Sequence, residues 1–208
     1  DGIRDIGVTG VQTCALPIYA TASSGSRCYN CHMPHTTYGL LKAIRSHTVS
    51  SPSVQHDDLQ AGRPNACNLC HLDQTLQWTA DHLEEWWKVE KPALQTAQQE
   101  FAAGAIWTLT GDASIRALVA WHLGWQAAQE VSDADWMSRC LIELLNDPYD
   151  AVRYIASRSL KSIPEFAAQE YDHLADERQR LVWQADLIKR WNSGSAASQR
   201  GTTPRLLI

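Results

Sequence analysis

Two pentapeptides dominate the chemistry open to this chain: Cys28-Tyr29-Asn30-Cys31-His32 and Cys67-Asn68-Leu69-Cys70-His71. Each sets two thiols three positions apart with an imidazole directly after them, the C-x-x-C-H spacing of covalent haem attachment. The thiols can add to two vinyl groups on one edge of a porphyrin, and the next residue then offers its imidazole to the iron from the proximal side. Cys28, Cys31, His32, Cys67, Cys70 and His71 are therefore the expected residues for two haem c groups, with His32 and His71 as iron ligands. The same cysteines admit other chemistry. Two C-x-x-C knuckles can close one tetrahedral four-thiolate zinc site, although 35 residues separate Cys31 from Cys67 and zinc gives no reason for a His after both pairs. Disulfides or a redox C-x-x-C are a further alternative.

A six-coordinate iron needs a second axial ligand. Met33 adjoins a proximal His and Met137 lies far along the chain, so a second histidine on each iron is the expectation. His82 follows His71 by 11 residues, on a helix expected to start near Thr79. His56 stands beside Asp57 and Asp58, and an adjacent carboxylate can hydrogen-bond a ligating imidazole. His35 is too near His32 to reach the opposite face of the same haem, and could serve only a neighbouring one. His122, in Trp121-His122-Leu123-Gly124-Trp125, reads as a packed helix residue, and His173 as surface. Lys42, Arg45 and Arg63 could pair with anionic propionates, for which a guanidinium fork is well suited.

The first motif runs on as CHMPHTTYGLLKAIRSHTVSSPS, and here the sequence resembles the multihaem c-type cytochromes. In that family a CxxCHMP string is often followed a short way downstream by a His that ligates an iron from its distal side; His47 matches the position. The likeness covers residues 27–81. With the CxxCH pairs it implies haem c as cofactor, iron ligands His32, His71, His47 and His82, an extracytoplasmic location in the bacterial periplasm or at the cell surface, and a redox partner protein. The CHMP string also occurs in the pentahaem nitrite reductases, so a catalytic multihaem oxidoreductase is the rival reading. Against it, the sequence holds no CxxCK and no evident Arg/His/Tyr pocket cluster.

The elements that must position these residues change character along the chain. Residues 1–18 match the translation of a short-read sequencing adapter, so native text is expected from Tyr19, as a fragment of a longer protein. Cys14 then drops out of the cysteine inventory. Residues 19–91 read as a loop-rich dihaem segment. From residue 92 to 192, helical periodicity takes over. Ile115, Leu118, Val119, His122 and Leu123 make an amphipathic face, and Val152, Ile155, Ala156, Ser159 and Leu160 repeat its steps 37 residues later. Arg116 and Arg153 fall in register. Preceding helices over 96–109 and 133–145 complete two helix-turn-helix units, and a partial third is expected over 165–191. A repeat of this length with Asp before Val/Ile-Arg resembles the HEAT family of α-solenoids; the Asp and Arg are expected to bond within each unit. A zinc-stabilised HEAT scaffold is a third functional alternative. Cys140 reads as a buried core thiol, and residues 193–208 as a disordered or artefactual tail.

The fold class expected is thus mainly α: a loop-rich cytochrome c segment followed by a HEAT-like solenoid. Composition narrows the partners. The 208 residues carry 18 basic and 23 acidic side chains, a formal charge of −5, which disfavours a general nucleic-acid binder. No apolar run approaches the roughly 20 residues of a membrane-spanning helix. Nine Trp are far above ordinary usage; most are expected to pack, with Trp78, Trp86 or Trp87 against a haem face.

Overall fold

The computed structural model describes residues 23–39, 41–132 and 134–193, so the adapter-like segment, Cys14 and the tail from residue 194 lie outside the described residues. The protein is mainly helical, with one two-stranded sheet among the described residues. Helix α1 (Cys28–His32) carries the first CxxCH motif. An antiparallel hairpin follows, β1 (His35–Tyr38) and β2 (Lys42–Arg45), in which His35 faces Arg45. A wide π-helical turn spans Val54–Gln60 and leads into the second motif, which sits in a turn rather than a helix.

Helix α2 (Leu76–Trp87) begins where the Thr75 hydroxyl accepts from the Trp78 amide at 2.9 Å, a cap that contributes about 1 kcal/mol. It ends at Lys88 in the left-handed conformation (φ 59°). The helix expected over 96–109 is instead two, α3 (Thr96–Glu100) and α4 (Ala103–Thr110), split by extended backbone at Phe101. The physical reason is a docking contact. The first amides of α4 have no partner inside their own helix, and the loop after the second motif supplies it: Ala103 donates to the Gln74 carbonyl and Gly104 to the Leu72 carbonyl, both at 2.9 Å. A Cβ at position 104 would stand 2.9 Å from the Leu72 oxygen, which is why glycine occupies it.

Helix α5 (Ala113–Leu123) is capped by Asp112, whose carboxylate accepts from the Ile115 amide at 2.9 Å. A short α6 (Gln126–Gln129) turns the corner into α7 (Ala134–Leu144) and α8 (Asp150–Leu160). Helix α5 packs most extensively on α8, and α7 on both, so two helix-turn-helix units stack as the 37-residue register expects. Gly124 lets them close: a Cβ there would come within 2.5 Å of Ser159.

The Asp and Arg of the repeat bond within units, as Arg153 does to the carbonyls of Asp147 and Pro148 at 2.7 and 3.2 Å, and also between them. Arg116 of the first unit makes a two-pronged pair with Asp147 of the second, at 2.5 and 3.1 Å, while a third nitrogen donates to the Gly111 carbonyl at 2.6 Å. Arg153 in turn donates to the His173 carbonyl of the following segment at 2.8 Å. Helix α9 (Glu177–Ser193) continues the pattern. Asp176 accepts from the Gln179 amide, and Arg180 reaches back to the Ala175 carbonyl and across to Asn146. The partial third unit is therefore this one long helix, preceded only by a 3-10 turn at Pro164–Phe166.

One core joins the two halves. Val54, Leu72, Leu76, Ala80 and Leu83 belong to the same buried cluster as Met137, Leu141, Val152 and Phe166, so no break in packing marks the 91/92 boundary. Cys140 is buried in that core, as expected. No helix among the described residues is long and apolar enough to cross a membrane.

Candidate functional site

The two CxxCH motifs, apart in sequence, meet at one cavity of about 280 Å³. Its wall holds Cys31 from the first motif, Cys67, Cys70 and His71 from the second, and Trp78, His82 and Trp86 from α2. Spacing explains the last three: positions 78, 82 and 86 are one helical step of four apart and stand on one face. The rings form a continuous stack. His71 lies 4.9 Å from Trp78, Trp78 lies 4.3 Å from His82, and His82 lies 4.8 Å from Trp86. Trp87 turns away and is exposed.

Two imidazoles are fixed in the tautomer a metal ligand requires. His82 Nδ1 lies 2.8 Å from the Trp78 carbonyl, and His32 Nδ1 lies 2.8 Å from the Ser50 carbonyl. A carbonyl only accepts, so the hydrogen of the neutral ring resides on Nδ1 and Nε2 keeps its lone pair. A ligating His almost always donates its other ring nitrogen in this way. Burial holds the His71 imidazole below the usual range, and the nearby His82 adds to the shift while Asp73 opposes it. Burial likewise pushes the Cys67 and Cys70 thiols up, Cys70 to about 12; Cys31 reinforces both shifts, Cys70 adds to that of Cys67, and Arg45 opposes that of Cys70.

The second motif is held by buried side chains that sequence reasoning passed over. Asn68, a variable position of its CxxCH, is 0% exposed. Its amide donates to the carbonyls of His71, Gln74 and Thr75 at 3.1 to 3.4 Å, and its oxygen accepts from Thr79 at 2.6 Å and Asn65 at 2.9 Å. Asn65 returns an acceptor to the Asn68 amide and donates to Asp58. Ser132, from the loop before α7, accepts from the Leu72 amide and donates to the Cys70 carbonyl. One polar residue, Asn68, between two ligand-type cysteines was the only signal available.

The first motif is braced by Arg45. Its guanidinium donates to the carbonyls of Tyr29 (2.9 Å) and Met33 (3.1 Å) and to the Asn30 side chain, and it covers the Tyr29 ring at 4.6 Å. This is a structural clamp rather than the free cation that propionate pairing needs. Arg63 is also engaged, with Asp57 at 2.8 Å.

His47, the downstream histidine singled out by resemblance, is exposed in the turn after β2 and lines no part of the motif cavity. His56 is exposed, and its ring contacts Asp57 at 3.3 Å, the neighbouring carboxylate expected. His35 and His122 instead meet in a second aromatic cluster. His35 lies 4.4 Å from Trp121, 5.3 Å from Trp125 and 5.1 Å from His122. His122 is 1% exposed and neither ring nitrogen has a hydrogen-bond partner. Burial holds it far below the usual range, His35 adding to the shift and the Leu69 backbone partly opposing it. His35 falls to about 4 through burial and the Arg45 charge. Both rings are therefore neutral at pH 7. His173 pairs with Tyr154 at 5.0 Å, remote from the motifs.

Cys28 does not line the cavity that the other three motif thiols share, and among the described residues no group of three or more His, Cys, Asp or Glu converges as a metal cage. The same cavity sets three thiols beside the imidazoles of His71 and His82 and the indoles of Trp78 and Trp86. No family model matches the chain, and neither does any curated protein or solved structure.

Proposed function

We propose that this chain is an extracytoplasmic electron carrier of the multihaem c type, with one haem held by Cys28, Cys31 and His32 and another by Cys67, Cys70 and His71. The observation that carries the reading is the meeting of both CxxCH motifs at one cavity that His82 also lines. When bound, each haem supplies a reversible one-electron couple whose potential follows its axial ligands and burial. The residues of this chain do the rest. Thiols tether, Nδ1–H bonds to backbone carbonyls orient the imidazoles of His32 and His82, and Trp78 and Trp86 exclude water. His82 completes the second site.

The stacked helices belong to the same reading as a HEAT-like solenoid. They wall the site through Ala127 of α6, brace the second motif through Ser132, and leave their remaining surface to dock a redox partner protein. The test is a pyridine haemochrome spectrum with intact mass, on chain produced in a periplasm with haem-maturation machinery. Two covalent haems per chain are expected. Protein without a Soret band, whether empty or carrying zinc, overturns the proposal.

A further inference from the structure

A second cavity, of about 560 Å³, lies on the far side of the His35–His122 cluster. Three elements enclose it: the β1–β2 hairpin with Lys42, the α5–α6 corner with Trp121 and Trp125, and α8 with Tyr154 and Arg158. The volume is that of an ordinary small-molecule site, and its lining has an uncommon composition. It includes two cations and no carboxylate. Neither Lys42 nor Arg158 has an ion-pair partner among the described residues. In a chain with more acidic than basic side chains, two unpaired cations on one concave surface create a local positive field.

The other walls are flat and aromatic. Trp121 and Trp125 stand 5.8 Å apart with their planes inclined by only 31°. Across from them the Arg158 guanidinium lies 5.7 Å from the centre of the Tyr154 ring and donates to its hydroxyl at 3.4 Å, a cation held beside an aromatic ring. Indoles and a phenol offer faces to another ring system, and the cations offer charge-assisted hydrogen bonds at its edge. A compact inorganic anion would leave the aromatic walls uncovered, and a neutral aliphatic ligand would leave both cations unanswered.

We propose that this cavity binds a planar aromatic anion, stacked against Trp121, Trp125 and Tyr154 with its acidic groups on Lys42 and Arg158. Bound there it lies against the two indoles that also touch His35, three positions from the proximal His32. The binding needs nothing at the CxxCH motifs, so it stands or falls apart from the haem reading.

The test is calorimetric titration of the full chain with anthraquinone-2,6-disulfonate, alone and in the presence of sodium sulfate. Saturable binding of one molecule per chain is expected, with sulfate at the same concentration failing to displace it. Lys42→Gln and Arg158→Gln should each weaken binding about tenfold, the loss of one charge-assisted contact of about 1.4 kcal/mol. Both side chains are exposed, so the fold should survive, which circular dichroism would verify. No saturable binding overturns the proposal. So does an affinity unchanged in both variants, which would place the probe elsewhere, for instance in the cavity beside Cys67. Equal competition by sulfate would reduce the site to one for simple anions and overturn it as well.

Discussion

The surroundings of the two CxxCH motifs have nearly the same aromatic content and opposite construction. Beside the first, His35 and His122 are packed among Trp121 and Trp125, and only the two indoles reach the second cavity. Beside the second, His71, His82, Trp78 and Trp86 open onto a cavity, and His82 is tied by Nδ1 to a backbone carbonyl. The backbone follows the same division. One surface arginine clamps the first motif, whereas a buried asparagine network holds the second. Aromatic composition alone therefore does not decide how a histidine is presented; at the second motif His71 and His82 line open volume, and at the first His35 and His122 do not. The second motif is the more completely preorganised of the two.

The largest expected effect tests that contrast at the imidazoles. His82→Ala should remove the distal ligand at the second motif and turn about half of the low-spin haem signal high-spin. His47→Ala, at an exposed turn, should leave the spectrum unchanged. Electronic absorption and electron paramagnetic resonance of the two variants check this, and a reversed result would return the exposed histidine to the ligand set, as the family resemblance implied.

Asn68→Ala strikes the network instead. It leaves the buried Thr79 hydroxyl without its acceptor and takes one acceptor from the Asn65 amide, while the carbonyls of His71, Gln74 and Thr75 keep their backbone donors. At about 1–3 kcal/mol for a stranded buried group, a loss of about 2 kcal/mol is expected. Urea unfolding measures it. Haem attached at Cys67 and Cys70 should fall while that at Cys28 and Cys31 holds, which peptide mass analysis resolves.

How much of this was legible in the sequence follows from the range of each interaction. The CxxCH thiols and imidazoles could be read because their chemistry depends on spacing within five residues, and the stacked helices because their apolar period repeats. The break at Phe101 could not, because it answers to carbonyls at Leu72 and Gln74, some thirty residues earlier. Arg45 looked like a free cation because its acceptors, the carbonyls of Tyr29 and Met33, are backbone atoms that carry no residue signature. The Asp/Arg register was visible, but not its direction: an Arg116–Asp147 pair across units and a bond within a unit come from the same letters. Spacing placed His82 on a helix, whereas the cavity that it lines, and that His47 does not, exists only once α2 is docked.

Arg45→Gln examines the other side of the comparison and should matter less. It removes charge-assisted bonds to two carbonyls and the stacking on Tyr29, about 2 kcal/mol in all, on a half-buried segment. The expected outcome is local: faster proteolysis between residues 27 and 45 with the urea midpoint nearly unchanged. A large shift of the global midpoint would mean that the first motif is as integral to the core as the second.

The smallest effect is a slope against pH. Asp57 and Asp58 are neighbours on the same π-helical turn, yet Asp57 accepts from Arg63, Ser53 and His56. The Asp58 carboxyl accepts from Asn65, and its Oδ1 is sealed from water without a side-chain partner. Burial raises the Asp58 carboxyl to about 7, with Asp57 adding to the shift and Asn65 opposing it. Between about pH 4 and 7 the folded protein thus keeps a proton that the unfolded chain has released. Folding is then favoured by acid, and stability falls as pH rises through that window, by at most about 1.4 kcal/mol per pH unit from this group. Asp58→Asn keeps an oxygen for Asn65 and removes the charge, so its unfolding free energy should lose that downward slope while other groups keep theirs. Urea titrations at pH 4.5, 5.5, 6.5 and 7.5 for both proteins give the difference directly. Parallel curves would mean that Asp58 ionises without cost, and that the network around the second motif is wetter than the buried Asn68 suggests.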